Sequence, residues 1–377
     1  MVEGPSGMST PRTPRDSLQL RAGAASPVQE RVVVAMSGGV DSSVAAALLV
    51  EQGYDVIGIM MRLWSEDENR CCTPQAVDDA RRVATQLGIP FYLVNYEAEF
   101  QACVVDYFIA EYGRGRTPNP CLACNRHIRF GHLLRHAQAL GAAYLATGHY
   151  AQVDHVGGSY RLRMGADRRK DQSYVLYTLG QPELRHTLFP LGPYTKPEVR
   201  DLARHAGLHV ADREESMELC FVSDNNYRRF LRERIPQAFR PGPILDTAGR
   251  EIGRHQGLAA FTVGQRRGLR IAAPTPLYVI RLDLEANTVT VGPAHELGRC
   301  TLLATDVSYV NGGPPPGPVR VQAKIRYKAG LAGATWTPLD NSRVTVEFDV
   351  HLRDITPGQA VVAYQGDTVL GGGIIDG

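Results

Sequence analysis

Two groups of residues in this chain have types and spacings suited to chemistry. The first is Ser37-Gly38-Gly39-Val40-Asp41-Ser42-Ser43, which follows the apolar run Arg31 to Met36. After it come Val44, Ala47, Leu48 and Glu51 at helical spacing. Buried strand, tight glycine turn and helix start, in that order, offer free backbone N–H groups and the positive end of a helix dipole to an anion. Gly38 and Gly39 have no Cβ to hold a phosphate away, and Ser37, Ser42 and Ser43 add hydroxyl donors. No Gly-Lys-Ser/Thr ending follows, so no lysine of this loop reaches for a γ-phosphate. The plain alternative is a strand-to-helix turn without a ligand. The full strand–motif–helix order argues against it.

The second group is cysteine. Cys121 and Cys124 lie in Thr117-Pro118-Asn119-Pro120-Cys121-Leu122-Ala123-Cys124-Asn125, and Cys220 lies in Leu219-Cys220-Phe221. The two prolines are expected to break helix and fix an extended loop between two helices. The run Asn125-Arg126-His127-Ile128-Arg129 is cationic, which predicts a lowered thiol pKa and a reactive thiolate. On residues alone three readings stay open. Half a zinc site needs a second close pair, which the adjacent Cys71-Cys72 supplies poorly. Inert buried cysteines fit badly with Pro-rich, charged surroundings. A redox or sulfur-transfer pair is the third. Cys103 reads as a core residue of a helix, and Cys71, Cys72 and Cys300 take no role.

These groups need elements to position them. Asp55 to Met61, Phe91 to Tyr96 and Ala143 to Thr147 read as strands. Pro74 to Leu87, Glu97 to Tyr112, Gly131 to Leu140 and Lys196 to Ala206 read as helices. Strand and helix in turn predict an α/β fold with a parallel sheet, whose ligands sit at the carboxyl ends of the strands. The glycine loop, Met61 and Gly148-His149 all fall at such ends. From about 223 to 295 the chain is rich in Arg, Gly and Pro, as in a small linking domain. From about 296 onward strand signals alone remain, including the alternating run Val319 to Tyr327, and a small β-barrel is expected. Arg320, Lys324 and Arg326 share one face of that run. They form either a basic stripe for phosphates or a solvated barrel face.

The bulk numbers set limits. The 377 residues are 44% hydrophobic and 21% charged, enough for two or three domains with cores. The net charge of +2 leaves any nucleic-acid partner dependent on local basic patches. No apolar run is long enough to span a membrane. Residues 1–29 have no apolar core of a secretory signal and read as a disordered tail. Seven cysteines without such a signal point to a reducing compartment, the cytoplasm.

SGGVDSS resembles the pyrophosphate-binding loop of the ATP pyrophosphatases, which cleave ATP between its α- and β-phosphates and transfer AMP to a substrate oxygen. Further stretches follow in order: the TPNP segment with Cys124-Asn125-Arg126, Ala146-Thr147-Gly148-His149-Tyr150-Ala151, Lys170-Asp171-Gln172-Ser173-Tyr174, Leu219-Cys220-Phe221, Gly253 to Gly257, Thr262 to Leu269, Thr356 to Ala360 and Leu370 to Ile375. Together they are similar to the bacterial tRNA-specific 2-thiouridylase family over residues 31–377.

The resemblance implies an ATP pyrophosphatase catalytic domain at 30–222, a linking, tRNA-contacting domain at 223–295 and a C-terminal β-barrel at 296–377, after the 1–29 tail. It implies that ATP adenylates O2 of the wobble uridine and that a persulfide sulfur then attacks C2. Cys220 matches the persulfide carrier and Cys124 the second, nucleophilic cysteine, with a Cys124–Cys220 disulfide to be reduced each turnover. Ala35, Met36, Ser37, Gly38, Gly39, Val40, Asp41 and Ser42 match the ATP contacts, with Asp41 helping to place Mg²⁺ and Met61 and Gly148 beside adenine and ribose. Asn119, Pro120 and Cys121 match the target-base contacts. His149, Lys170, Asp171, Gln172, Arg326, Tyr327 and Gln359 match tRNA contacts.

The implied partners are the anticodon stem-loop of tRNA and an upstream protein that carries persulfide sulfur. Many family members have Asp where this chain has Cys121, so Cys121, Cys124 and Cys220 also form a ligand set for an iron–sulfur cluster with an open iron. Other readings are another ATP pyrophosphatase, such as a 4-thiouridine synthase, or a tRNA- or zinc-binding protein without turnover. A closing loop around 210–222 is expected to bring Cys220 to Cys124 only when tRNA is bound.

Overall fold

The computed structural model describes residues 29–66, 73–213 and 219–376. Cys71, Cys72, nearly all of the expected tail and part of the expected closing loop lie outside the described residues. Strand β1 (Arg31–Met36) is almost wholly buried and runs straight into α1 (Val40–Glu51). Its neighbours are β2 (Asp55–Arg62), leading through α2 (Pro74–Leu87) to β3 (Phe91–Asn95), and, on its other side, β4 (Tyr144–Ala146). A hairpin follows, β5 (Ala151–Val156) and β6 (Ser159–Met164), and then β7 (Thr187–Leu188). The sheet is parallel in the order β3-β2-β1-β4-β7, with apolar clusters on both faces, as the alternation of strand and helix predicts.

The second cysteine group departs from expectation. Residues 120–139 are helical throughout, so Cys121 and Cys124 stand on a helix and not on an extended loop. Pro120 is the first helical residue, where its missing N–H costs nothing. The Asn119 side chain caps the helix by accepting from the Cys121 N–H at 3.0 Å. The prolines therefore start the helix as well as end the stretch before it. From Cys124 to Leu133 the turns widen to π-helix, a form that often marks functional sites.

Two β bodies complete the chain. Strands β8 (Gly242–Leu245), β9 (Glu251–His255), β10 (Leu277–Asp283) and β11 (Thr288–Pro293) form a four-stranded sheet with its own small core. Strands β12 (Arg299–Tyr309), β13 (Val319–Lys324), β14 (Ala332–Pro338), β15 (Val344–Leu352), β16 (Ala360–Gln365) and β17 (Thr368–Ile375) form a six-stranded barrel, closed by pairing of β12 with β17 around Trp336. The β5–β6 hairpin of the α/β body joins the barrel sheet at Thr368 and Arg163, with the Met164 N–H donating to the Asp367 carbonyl at 2.8 Å. No helix among the described residues is long and apolar enough to cross a membrane.

The basic stripe is not a free face. Arg320 forms an ion pair with Asp349, and Lys324, largely enclosed, pairs with Asp171 at 3.5 Å. Arg326 lies past the end of β13 and donates to the Val263 carbonyl at 3.1 Å. Alternation places Arg320 and Lys324 on one side of β13, but Arg320 is paired within the barrel and Lys324 to Asp171 of the α/β body.

The three bodies meet at Thr117. Its N–H donates to the Pro357 carbonyl at 2.9 Å, its hydroxyl donates to Thr262 Oγ1 at 3.1 Å, and its carbonyl accepts from Gln359 Nε2 at 2.7 Å. Gly358 has φ +91°, and a Cβ there would stand 2.8 Å from the Thr117 nitrogen. Gly358→Ala is therefore expected to cost about 1–3 kcal/mol in urea unfolding, from strain and clash together. Gly366→Ala, at φ +63° but with open space around it, should cost less. Equal losses would contradict the junction.

Candidate active site

The glycine loop is built to leave its donors open. Gly39 is the N-cap of α1 and no side chain caps the helix, so the first-turn N–H groups remain for a ligand. The Ser37 N–H donates to Ser42 Oγ at 3.1 Å, and Ser43 Oγ donates to the Gly39 carbonyl at 2.8 Å, which fixes the turn from inside. Gly38 has φ +72°, and a Cβ there would lie 2.4 Å from the Ala76 carbonyl oxygen. Arg213 Nη1 donates to the Gly38 carbonyl at 2.8 Å and pairs with the buried Asp79, so α2 braces the loop.

Asp41 does not stand alone. Lys196 Nζ reaches its two carboxylate oxygens at 2.7 and 2.8 Å, and the Tyr150 hydroxyl donates to it at 2.7 Å. Gln172 in turn holds Tyr150: its Oε1 accepts from the Tyr150 N–H at 3.0 Å, and its own N–H donates to the Tyr150 carbonyl at 2.9 Å. Lys196, Tyr150, Arg213 and Asp79 were not anticipated. Pro197 near the start of its helix was the only signal at Lys196, and a lysine 155 residues from Asp41 carries no spacing to read. Of the remaining loop-side residues, Met36 is buried, Ala35 and Met61 are half-buried, and Val40 is buried.

Gly148 and His149 tie this loop to the thiols. Gly148 packs against the first turn of α1 so closely that a Cβ would stand 2.9 Å from both Asp41 C and Ser42 N. His149, next along the chain, is buried between Phe130 and Phe189. Its Nδ1 is 2.7 Å from Thr147 Oγ1 and its Nε2 is 3.5 Å from Arg129 Nη1. Burial first, and the Arg129 charge second, hold it well below the usual histidine range, so it is neutral. Arg129 also donates to Asn125 Oδ1 at 2.9 Å, next to Cys124, and Asn125 donates to the Val175 carbonyl at 3.0 Å.

The thiols are not the thiolates that the cationic run predicted. Burial pushes Cys124 up to about 12, against the pull of Arg129 and with Cys220 and Cys121 adding to the rise. Cys121 is exposed at the surface, yet the protein mass around its sulfur pushes it up to about 11, with Cys220 next and Arg129 opposing. The expected charge is largely spent elsewhere: Arg126 pairs with Asp306 of the barrel. Cys220 is exposed, and its charge adds to the rise of both helix thiols. Among the described residues no group of three or more His, Cys, Asp or Glu side chains is placed to hold a metal ion.

The other candidate residues divide by exposure and bonding. Pro120 is buried at the helix start and Asn119 is its cap. Asp171 is buried and accepts from the Gly165 N–H at 3.1 Å and the Ser173 hydroxyl at 3.0 Å, besides Lys324. Gln359 and Arg326 belong to the junction at Thr117 and Val263. Lys170 and Tyr327 are half-buried, the latter beside Tyr174. Cys103 is half-buried against the core, and Cys300 Sγ lies 3.3 Å from His351 Nδ1.

Comparison with known proteins adds to this geometry. Residues 30–224 match the tRNA methyl transferase HUP domain family, 228–293 the tRNA methyl transferase PRC-barrel domain family and 299–375 the aminomethyltransferase beta-barrel domain family. The tRNA-specific 2-thiouridylase MnmA of Moorella thermoacetica is 54% identical over 352 residues, covering 91% of this chain and 99% of that protein. The protein of the same name from Symbiobacterium thermophilum is 51% identical over 385 residues, with 99% of each covered.

Two measurements probe the site. Lys196→Met should lower ATP-dependent AMP release roughly 10- to 100-fold, as loss of a charged hydrogen bond does. Tyr150→Phe should lower it only about 2- to 10-fold. A Lys196→Met enzyme at the wild-type rate would remove Lys196 from the site. Alkylation of Cys124 should be slow at neutral pH and rise about tenfold per pH unit between about pH 7 and 9, because only the thiolate reacts. A plateau in that range would contradict the buried, protonated thiol.

Proposed function

The chain belongs to the tRNA-specific 2-thiouridylase family, and from that premise we infer the chemistry of its site. The protein is a tRNA sulfurtransferase: it replaces O2 of the wobble uridine with sulfur, giving 2-thiouridine. The α/β body is of the ATP-using kind. In our reading ATP binds with its pyrophosphate on the open N–H groups at the start of α1, and Met61 and Gly148 flank its adenine and ribose. AMP is transferred to O2, which turns a poor leaving oxygen into a phosphate ester.

Asp41 is the residue to hold Mg²⁺. One carboxylate with substrate phosphates and water is a usual magnesium set, and the ion would neutralise the pyrophosphate. Lys196, which grips the same carboxylate, is the cation beside it.

Sulfur arrives on Cys220 as a persulfide. The exposure of Cys220 supports loading by an upstream protein that carries persulfide sulfur. The terminal sulfur attacks C2 of the adenylated base and AMP leaves. The Cys124 thiol then attacks Cys220 Sγ, forming the Cys124–Cys220 disulfide and releasing the sulfur to the uridine. We favour this two-thiol route over an iron–sulfur cluster because it needs only the pair. Asn119, Pro120 and Cys121 meet the target base of the anticodon stem-loop, which must leave its stack to be reached. His149, Asp171, Gln172, Arg326 and Gln359 act by holding the surfaces that meet RNA, and Lys170 and Tyr327 contact it. Reduction of the disulfide each turnover fits the cytoplasm.

The observation that carries this reading is the Gly148-His149 bridge, which joins the phosphate-binding loop and the thiol helix into one site. The test is a single-turnover assay with polysulfide-loaded protein, ATP and unmodified tRNA, with nucleosides read by mass spectrometry. Wild type should give 2-thiouridine and AMP. Cys220→Ser should lose at least about 1,000-fold in product while still binding tRNA. Full activity in Cys220→Ser would overturn the persulfide role.

A further inference from the structure

Cys220 is exposed, so where its sulfur stands depends on how the backbone beside it is held. Glu66, distant in sequence, grips that backbone. It follows the end of β2, the strand that also carries Met61. The Glu66 N–H donates to the Phe221 carbonyl at 3.2 Å. Its Oε2 accepts from the Ser223 N–H at 3.2 Å and from the Ser223 hydroxyl at 3.3 Å. The chain that leaves Cys220 is thus tied to Glu66 at Phe221 and again at Ser223.

Glu66 is itself fixed. Its side chain is 10% exposed and meets Arg229 in a two-pronged pair, Nη1 to Oε1 at 2.9 Å and Nη2 to Oε2 at 2.6 Å. Such pairs set geometry as well as charge. Arg234 Nη1 adds a bond to Oε1 at 3.3 Å, and both arginines belong to the helix Tyr227–Arg234. The Arg229 bond holds the Glu66 carboxyl below its usual range, against the opposing effect of burial. Arg229 Nε also donates to Asp224 Oδ2 at 2.8 Å, just past Ser223. Aromatic rings supply a second grip. Phe221 is 1% exposed, with its ring 5.3 Å from that of Phe108 and 5.6 Å from that of Phe230. The Arg234 guanidinium stacks 3.8 Å from the Phe230 ring centre.

We propose that Glu66 is a positioning residue for sulfur transfer: it fixes the backbone that follows Cys220 and so sets where the persulfide meets the adenylated base. Desolvation offsets much of the attraction in a nearly buried ion cluster, so the main effect of this one is to fix position. Sulfur transfer is sensitive to position, since a misplacement of about 1 Å costs about 100-fold in rate. Adenylation on the glycine loop does not pass through Cys220. One strand end, that of β2, then serves both the nucleotide, at Met61, and the sulfur carrier, at Glu66. The inference rests on the persulfide reading above and deepens it.

The experiment uses the full chain, loaded with polysulfide and given ATP and unmodified tRNA for one turnover. Pyrophosphate release and 2-thiouridine formation are timed on the same sample. In Glu66→Ala, pyrophosphate release should stay within about twofold of wild type while thiouridine forms at least about tenfold more slowly. Glu66→Gln keeps the shape and loses the charge. It should show the same split at about 3- to 10-fold, and it carries the test if the alanine variant does not fold. Both rates falling together would make Glu66 a support of the whole fold and overturn the inference. Both rates at wild-type values, with Cys220→Ser inactive in thiolation, would overturn it and leave the persulfide reading standing. Thiouridine formed by Cys220→Ser at the wild-type rate would overturn that reading and the inference with it.

Discussion

A backbone contact that tolerates no side chain holds the site together. The end of β4 lies on the first turn of α1 at Gly148, where a Cβ would come within 2.9 Å of Asp41 and Ser42. Through that contact the position of the helix start, and so of its open N–H groups, is tied to the next residue, His149. His149 meets Arg129, Arg129 meets Asn125, and Asn125 stands beside Cys124. Parallel-sheet topology brings strand ends to one edge, but only close backbone approach makes that edge a single rigid site.

Burial, more than charge, sets the character of the thiols. The run Asn125 to Arg129 offers two guanidinium groups and a histidine near Cys124, and charge alone would favour a thiolate. The structure spends Arg126 on Asp306 and buries Cys124, and desolvation outweighs what Arg129 returns. A protonated resting thiol is inert toward chance electrophiles.

Much of this was legible in the sequence. The α/β alternation, the strand–loop–helix order at Ser37 to Ser43 and the barrel strands followed from periodicity and glycine placement, because those signals are local. The hairpin of β5 and β6 has one local mark, Gly157 and Gly158, both at positive φ, which sit between its strands as a two-residue turn requires. At Pro120 two prolines suggest a loop, but proline also suits the first position of a helix, and Asn119 caps this one. Lys196, Tyr150 and Arg213 were beyond reach. Their partners lie about 110 to 175 residues away in sequence, and nothing local marks a residue whose role is set by tertiary contact.

The most direct test of the account follows one oxygen atom. The claim is that the glycine loop and the thiols act on the same uridine, adenylating O2 before sulfur replaces it. In a single turnover with tRNA carrying ¹⁸O at O2 of the wobble uridine, each 2-thiouridine formed should be matched by one AMP with ¹⁸O in its phosphate. Thiouridine formed with unlabelled AMP, and the label in water or pyrophosphate, would contradict it.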